Sequence, residues 1–243
     1  MTLSDNTIRT APAARLRVDA VLLDLDGTLV DSNDQHAKAW VDALAERGIR
    51  VRFEDVRPLV GMGGEQLLRK LTGIAPDDPR SRELRDRRSR LFVERYLSEI
   101  APQPGARELV AKLRERGFRL VVATSSSEDE VRPLLEIAGI GELVDAVTNA
   151  DDVARAKPAP DVVRAALEKA RVNEDHAVLL GDTPYDVASA RQAGVAVIAF
   201  RCGGWDDASL DGAIDVFDDP ADLLRNWMQT PFRASLAGLD APL

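Results

Sequence analysis

Short apolar runs alternate with amphipathic helical patterns along most of this chain, and this alternation constrains the fold more than any other feature. The apolar runs are rich in leucine and β-branched residues, which predicts six strands. The segments between them have the spacing of helices that bury one face. Because strands that alternate with helices form parallel sheets, the sequence predicts an α/β fold with a Rossmann-like parallel sheet.

The predicted elements end at residues that commonly begin or end strands and helices. Ser127 and Glu130 have the spacing of a capping box, and Gly139 follows the helix that they begin. We predict strands at residues 18–24, 119–124, 145–148, 177–181, 195–200 and 214–217. We predict helices at residues 105–116, 127–138, 159–171, 184–193 and 220–228.

The alternation stops between residues 33 and 101, where no convincing strand occurs and several helical patterns follow one another. This region predicts an all-helical cap domain inserted after the first strand, with hinges near residues 31–33 and 101–105. The predicted domains are a flexible N-terminal tail at residues 1–17, a catalytic core at 18–32 and 103–243, and the cap at 33–102.

The composition argues against several classes of protein. The chain has 41 acidic and 32 basic residues and a net charge of −9, which disfavours a general nucleic-acid or membrane surface. The single cysteine, Cys202, excludes an intrachain disulfide and a cysteine metal cluster. Residues 1–17 weakly resemble a transit peptide, but no apolar signal-peptide core is present. We expect a cytoplasmic monomer or weak homodimer.

Polar side chains follow four of the predicted strands or lie in the loops after them. Loops at the carboxyl ends of parallel strands meet in one crevice, so side chains distant in sequence can lie close together there. The four groups are Asp24 with Asp26, Thr124 with Ser125, Lys157, and Asp182 with Asp186.

These residue types suit phosphoryl chemistry. A carboxylate cluster without histidine or cysteine ligands predicts a Mg²⁺ site. Of the two carboxylates, Asp24 and Asp26, one could attack a phosphorus atom while the other transfers a proton to the leaving group. Lys157 offers a cation, and Thr124 or Ser125 offers a hydroxyl donor to a phosphate.

Four segments of the sequence resemble the four motifs of the haloacid dehalogenase-like (HAD) hydrolase superfamily. They are "DLDGTLVDS", "VVATS", "KPAPD" and "GDTPYD", and they occur in the order of the family's motifs. The helical insertion is similar to the family's cap after the first motif. The resemblance extends from about residue 18 to residue 217.

The resemblance implies a role for each motif residue. Asp24 would be the nucleophile that forms an aspartyl-phosphate. Asp26 would be the general acid that protonates the leaving alcohol and then the base that activates water. Thr124 would donate a hydrogen bond to the phosphoryl group, with Ser125 as its neighbour, and Lys157 would pair with Asp24.

The resemblance also implies a magnesium site. Its ligands would be Asp24, the backbone carbonyl of Asp26, and Asp182, with Asp186 as a further ligand or a support. Each motif residue has an ordinary structural alternative: Asp182, for example, could cap the helix that follows it, and Lys157 could be a solvated loop residue. Because all four motifs occur in the family's order, one shared site is favoured over separate structural roles for these residues.

The second aspartate of the first motif indicates the reaction. Relatives that dehalogenate haloacids or cleave phosphonates lack an aspartate at the position of Asp26, so its presence favours phosphate-ester chemistry. The "GDTPYD" form resembles the phosphatase branch of the family. We therefore predict hydrolysis of a small phosphorylated metabolite.

Two alternatives remain open. The stretch "DSNDQHAKAW" resembles β-phosphoglucomutases, including His36 and Trp40, and Arg87 or Arg88 could stand near the cap lysine of those enzymes. However, the loop at residues 61–64 has "GMGG" where the mutases carry an arginine. The second alternative, a catalytically silent phosphate-binding module, requires a missing motif residue.

We expect residues of the cap and of the second motif to bind the substrate. The predicted substrate-binding residues are Ser125, His36, Gly63, Gly64 and Arg88. Each cap residue has a structural alternative: His36 could be a packed histidine, the glycines an interhelical turn, and Arg88 part of a solvated helix face.

Overall fold

A parallel sheet of six strands forms the centre of the protein in the computed structural model, which describes residues 16–233. The strands are β1 Ala20–Leu23, β2 Val30–Asp31, β3 Ala101–Pro102, β4 Arg119–Ala123, β5 Ala146–Thr148, β6 Ala177–Gly181, β7 Ala196–Phe200 and β8 Asp215–Phe217. The sheet order is β5-β4-β1-β6-β7-β8, and every neighbouring pair is parallel.

Strand β1 lies in the middle of this sheet and is buried on both faces. Leu22 is in register with Val121 of β4 and with Leu179 of β6. Side chains alternate between faces along a strand, so Val21 and Leu23 pack into one apolar cluster and Leu22 packs into the other. Both faces are covered, which explains why β1 is continuously apolar.

Nine α-helices occur among residues 16–233. They are α1 Asn33–Ala45, α2 Phe53–Val56, α3 Gly64–Thr72, α4 Pro79–Leu91, α5 Ala106–Glu115, α6 Glu128–Ala138, α7 Asp161–Ala170, α8 Pro184–Ala193 and α9 Pro220–Arg225. The predicted capping box of α6 is present, since Ser127 N donates to Glu130 Oε2 at 3.2 Å. Helix α9 ends earlier than predicted because a 3₁₀ turn follows at Trp227–Gln229.

Helices α1 to α4 form the insertion and share an apolar cluster of their own. Trp40 and Leu44 of α1 pack with Leu67 of α3 and Leu84 of α4. This internal packing explains how the segment folds without a strand of the main sheet. The predicted α/β fold with an inserted helical cap is confirmed, while the residue bounds of cap and core stay a prediction.

The chain passes between sheet and insertion through a short pair of strands. Val30 and Asp31 of β2 pair antiparallel with Pro102 and Ala101 of β3. The expectation of no strand up to residue 101 is therefore wrong at Ala101. Tertiary pairing of two distant dipeptides produces this element, and two residues are too few to give a periodic signal.

The predicted tail at residues 1–17 lies outside the described residues except for its last two positions. Among residues 16–233, no helix has both the length and the apolar character needed to cross a bilayer.

Candidate active site

The nucleophile predicted from the sequence, Asp24, lies directly after β1 and is 5% exposed. Its backbone N–H donates to Leu180 O at 2.9 Å, so the hydrogen-bond ladder continues one residue past the strand. Asp24 Oδ1 accepts from Lys157 Nζ at 2.6 Å, and Oδ2 accepts from Thr28 Oγ1 at 2.9 Å. Both oxygens are therefore held in place.

Lys157 is a buried lysine, 1% exposed, and this rules out the alternative of a solvated loop residue. Its Nζ lies 2.6 Å from Asp24 Oδ1 and 2.7 Å from Asp186 Oδ1. Burial acts to lower the pKa of Lys157, but the two carboxylates outweigh it and hold this pKa above its ordinary value. The side chain is therefore a fixed cation between two carboxylates.

Three carboxylates form a compact cluster at the ends of β1 and β6. Asp24, Asp182 and Asp186 each offer an oxygen, and these oxygens lie within 4.8 Å of one another. Asp182 accepts from Thr28 Oγ1 at 2.9 Å and from Asn33 Nδ2 at 2.9 Å. A cluster of buried oxygen donors with this spacing is suited to a hard divalent cation.

The electrostatics of the cluster explain what such a cation would do. Burial, opposed by Lys157 and assisted by the Asp186 carboxylate, raises the pKa of Asp24 to about 7. Burial, together with Asp24 and Asp186, raises the pKa of Asp182 well above its ordinary value. If all three carboxylates are ionised, one ammonium leaves two negative charges, which a divalent cation would neutralise.

Two glycines allow the backbone to pass close to Asp182. Gly27 has φ of +79°, and a Cβ at this position would overlap with Asn33 Nδ2 and Asp182 Oδ2. A Cβ on Gly203 would overlap with the same carboxylate oxygen. Asp182 therefore has a tightly fitted position that larger residues would disrupt.

The Asp26 carboxylate stands apart from the cluster and has other partners. Its Oδ1 accepts from Ser32 Oγ at 2.6 Å and lies 2.7 Å from His36 Nε2, while Oδ2 accepts from Ser126 Oγ at 2.6 Å. Burial acts against ionisation, but the hydrogen bonds from His36, Ser126 and Ser32 lower the pKa of Asp26 below its ordinary value.

The loop after β4 carries the hydroxyl groups predicted from the second motif. Thr124 Oγ1 accepts from the Ser126 backbone N–H at 3.1 Å and lies 3.4 Å from Asp26 Oδ2. Ser125 Oγ is buried and has no hydrogen-bond partner among residues 16–233. Both side chains line the same small cavity as Asp24 and Asp26.

This cavity has a volume of about 40 Å³ and lies between the sheet and the insertion. The insertion contributes Trp40, Val60, Met62 and Leu67, which give it an apolar wall, together with His36, Gly61, Gly64 and Arg88. A wider cleft of about 690 Å³ adjoins it and is also lined by Gly64, Arg88 and Ser125.

The predicted cap residues occupy different positions around this space. Gly64 lines the cavity, whereas Gly63 lines the adjoining cleft and donates from its backbone N–H to Lys157 O at 3.0 Å. Arg88 is buried, and its Nη1 donates to Glu130 Oε1 at 2.6 Å. It is therefore not part of a solvated helix face, although Arg87 pairs with Glu46 on the surface.

Sequence reasoning missed four polar residues that hold the carboxylates. They are Thr28, Ser32, Asn33 and Ser126. The first three follow Asp24 within nine residues, in a polar stretch after a buried strand, and that stretch could have indicated them. Ser126 is one of three consecutive serines, and the sequence does not distinguish it from its neighbours.

Comparison with known proteins decides the family. The family model described as "haloacid dehalogenase-like hydrolase" matches residues 18–194, which is more than half of the chain. The chain belongs to the haloacid dehalogenase-like hydrolases. The resemblance inferred from the four motifs is therefore confirmed, and with it the prediction that this protein is an enzyme of the hydrolase class.

This hydrolase is similar to proteins named for phosphate-ester hydrolysis. It is 36% identical over 223 residues to a phosphoglycolate phosphatase from Rhodospirillum rubrum, a match that covers 87% of this chain and 91% of that protein. It is 34% identical to a phosphoglycolate phosphatase from Nitrosospira multiformis over 77% of this chain and 85% of that protein.

Solved structures share the fold. A hydrolase from Pseudomonas syringae has a TM-score of 0.81 and 30% identity, with 86% of this chain and 98% of that chain covered. CbbY from Rhodobacter sphaeroides, solved in complex with phosphate, has a TM-score of 0.71 and 28% identity, with 92% and 100% covered.

Proposed function

We propose that this hydrolase is a magnesium-dependent phosphatase that cleaves a small phosphomonoester through an aspartyl-phosphate. The observation that carries the proposal is the environment of Asp24. One of its oxygens is hydrogen-bonded to buried Lys157, and the side chain lies beside two further carboxylates and lines the cavity between the sheet and the insertion. The names of the relatives support the same activity.

In the first step, a carboxylate oxygen of Asp24 bonds to phosphorus as the bond to the leaving oxygen breaks. Asp26 gives a proton to that oxygen, so the leaving group departs as an alcohol. In the second step, Asp26 takes a proton from a water molecule, which attacks phosphorus and releases Asp24 and inorganic phosphate. The hydrogen bonds that stabilise ionised Asp26 suit this second step and oppose the first, so Asp26 must take up a proton from solvent before it can give one to the leaving oxygen.

Asp24, Asp182 and Asp186, with the backbone carbonyl of Asp26, are the residues we propose as magnesium ligands. This set of ligands fits the ion because the donor atoms are buried and all are oxygens. The three carboxylates also outnumber the single Lys157 ammonium, so negative charge is left for the ion to neutralise. When bound, magnesium would supply positive charge next to the oxygens of the transferred phosphoryl group.

The space around Asp24 does not by itself fix the size of the leaving group. The cavity holds about 40 Å³, but it adjoins the wider cleft of about 690 Å³, into which a leaving group can extend. The names of the relatives make phosphoglycolate the first compound to test.

The test measures phosphate release from phosphoglycolate, an aryl phosphate, a hexose phosphate and a nucleotide, each with magnesium and with EDTA. We expect magnesium-dependent release that is fastest for phosphoglycolate and is abolished by Asp24→Asn. Release that persists in EDTA and in the Asp24→Asn variant would refute the proposal.

A sugar phosphomutase is the second candidate, and the position of His36 favours it. The residue lies ten positions after Asp26, as in the mutase pattern, and its Nε2 is 2.7 Å from Asp26 Oδ1. Interconversion of hexose phosphates that requires a bisphosphate primer, with little net phosphate release, would establish this activity in place of the first.

A further inference from the structure

Glu130 is a fully buried carboxylate whose contacts extend beyond the helix that it begins. Its Oε2 accepts from the Ser127 backbone N–H at 3.2 Å, which is the capping contact of α6. Its Oε1 accepts a 2.6 Å hydrogen bond from Arg88 Nη1, which belongs to α4 of the insertion. Helix capping requires only the first of these contacts, so the second calls for another explanation.

The same guanidinium nitrogen faces a histidine. Arg88 Nη1 lies 3.1 Å from His36 Nδ1. An arginine can only donate hydrogen bonds, so Nδ1 must be the acceptor and the ring proton must be on Nε2. Nε2 is the nitrogen that lies 2.7 Å from Asp26 Oδ1, and His36 is therefore a donor to Asp26.

The opposite tautomer does not fit these contacts. A proton on Nδ1 would face an N–H of Arg88, and the lone pair on Nε2 would face the Asp26 carboxylate. Stacking on Phe92, with 3.9 Å between ring centroids and 5° between planes, prevents the ring from tilting. A 180° flip would keep the stacking but put carbon atoms at both contacts, and so lose them. The Arg88 guanidinium is also held, since it lies over Trp40 at 5.2 Å.

Glu130 is the residue that keeps Arg88 in this position. Arg88 is buried, and Glu130 is its ion-pair partner among residues 16–233. A buried guanidinium without a carboxylate pays a large desolvation cost, so its place next to His36 depends on Glu130. Two of these contacts connect the insertion to the sheet region: Arg88 of the insertion bonds to Glu130, and His36 of the insertion bonds to Asp26.

We propose that Glu130 is a positioning residue for hydrolysis, acting through Arg88 to keep the His36 proton on Nε2, so that His36 holds the Asp26 carboxylate toward the reacting atoms. This inference rests on the proposed role of Asp26 and adds a residue outside the four motifs. Glu130 itself touches neither the cavity nor the carboxylate cluster.

The first test needs no variant in the site. The chain has two histidines, His36 and His176, so ¹⁵N NMR of the imidazole rings, with His176→Gln for assignment, reports the tautomer of His36 directly. We expect Nε2 protonated and Nδ1 unprotonated in the wild-type protein. A proton on Nδ1 would overturn the proposal, whatever any variant does.

The second test uses Glu130→Gln, which keeps the shape of the side chain and removes its charge. We expect kcat for phosphate release to fall roughly tenfold or more while KM changes less than about twofold, because a misplaced catalytic group slows the chemical steps. We also expect the His36 ring signals to change. A wild-type kcat with unchanged His36 signals would contradict the proposal.

Ser127→Ala is the matched control, since it leaves the Glu130 carboxylate facing Arg88 while it removes the other half of the capping box and the 3.0 Å contact with Ser89 Oγ of α4. We expect lower thermal stability with wild-type kcat and His36 signals. An equal loss of kcat in this control would assign the effect to these structural contacts and refute the positioning role. Wild-type protein that releases no phosphate from any ester would instead refute the proposed function, while the NMR result would still decide the tautomer.

Discussion

Replacing Lys157 with methionine tests the electrostatic description of the site most directly. The lysine is 1% exposed and forms ion pairs with Asp24 Oδ1 at 2.6 Å and with Asp186 Oδ1 at 2.7 Å. Methionine has a similar length but no charge. The substitution therefore removes the one ammonium bonded to the carboxylate cluster in residues 16–233.

The expected cost follows from the burial of the ion pair. Removing one partner of a buried pair destabilises a protein by about 3–5 kcal/mol, and both carboxylates are too buried for solvent to reduce that figure. For a domain of this size, each kcal/mol lowers Tm by roughly 2–4 °C, so we expect a decrease of roughly 6–20 °C in EDTA. Activity should also be lost.

The assay is urea and thermal unfolding followed by circular dichroism. Lys169→Met is the matched control because Lys169 also pairs with an aspartate, Asp152 at 2.7 Å, but is 38% exposed. We expect it to lose no more than about 1 kcal/mol. If Lys157→Met were no more destabilising than Lys169→Met, the description of Lys157 as the essential charge partner of the cluster would be wrong.

Two further outcomes follow from the site. Gly27→Ala should abolish activity and destabilise the protein by more than about 1–2 kcal/mol, since it adds overlap with Asn33 and Asp182 to the strain of φ +79°. Gly48→Ala is the control, because Gly48 has φ +74° but open space around it, so this variant should show the cost of backbone strain alone. If both variants lost the same unfolding free energy, the overlap at Gly27 would be contradicted. Asp24→Asn should change the pH dependence of stability in EDTA. Burial raises the pKa of Asp24 to about 7 in the folded protein, so above about pH 4 the folded state holds a proton that the unfolded state has lost, and wild-type stability should fall as the pH rises toward 7. The asparagine variant should show a smaller fall, because Asp182, whose pKa is also raised, is still present. Parallel pH curves for the two proteins in urea unfolding would refute this role of Asp24.

The regular elements could be predicted closely where their ends depend on neighbouring residues. Helix Pro184–Ala193 matches its predicted bounds because Thr183 caps it at the start and Gly194 ends it. Strand Ala177–Gly181 likewise matches. The β2–β3 pairing was not predictable, because each strand has two residues and the pair joins positions about 70 residues apart.

The residues of the candidate site also divide into those that the sequence could predict and those that it could not. Asp24, Lys157 and Asp182 stood out because each belongs to a recognisable motif, and the structure brings all three together. Their catalytic and metal-binding roles stay predictions. Ser126 and Glu130 did not stand out, because a serine among serines and a capping glutamate look ordinary until their distant partners are known.

The sequence by itself determined the α/β class, the helical insertion and the family, because periodicity, capping and motif order are written in adjacent residues. Only the tertiary structure decided which carboxylate faces which partner. Asp24 lies with Lys157 and two other aspartates, whereas Asp26 lies with His36 and Ser126. The physical reason is that charge and hydrogen-bond environments depend on contacts between residues up to about 150 positions apart, which form only when the chain folds and the ends of the strands come together.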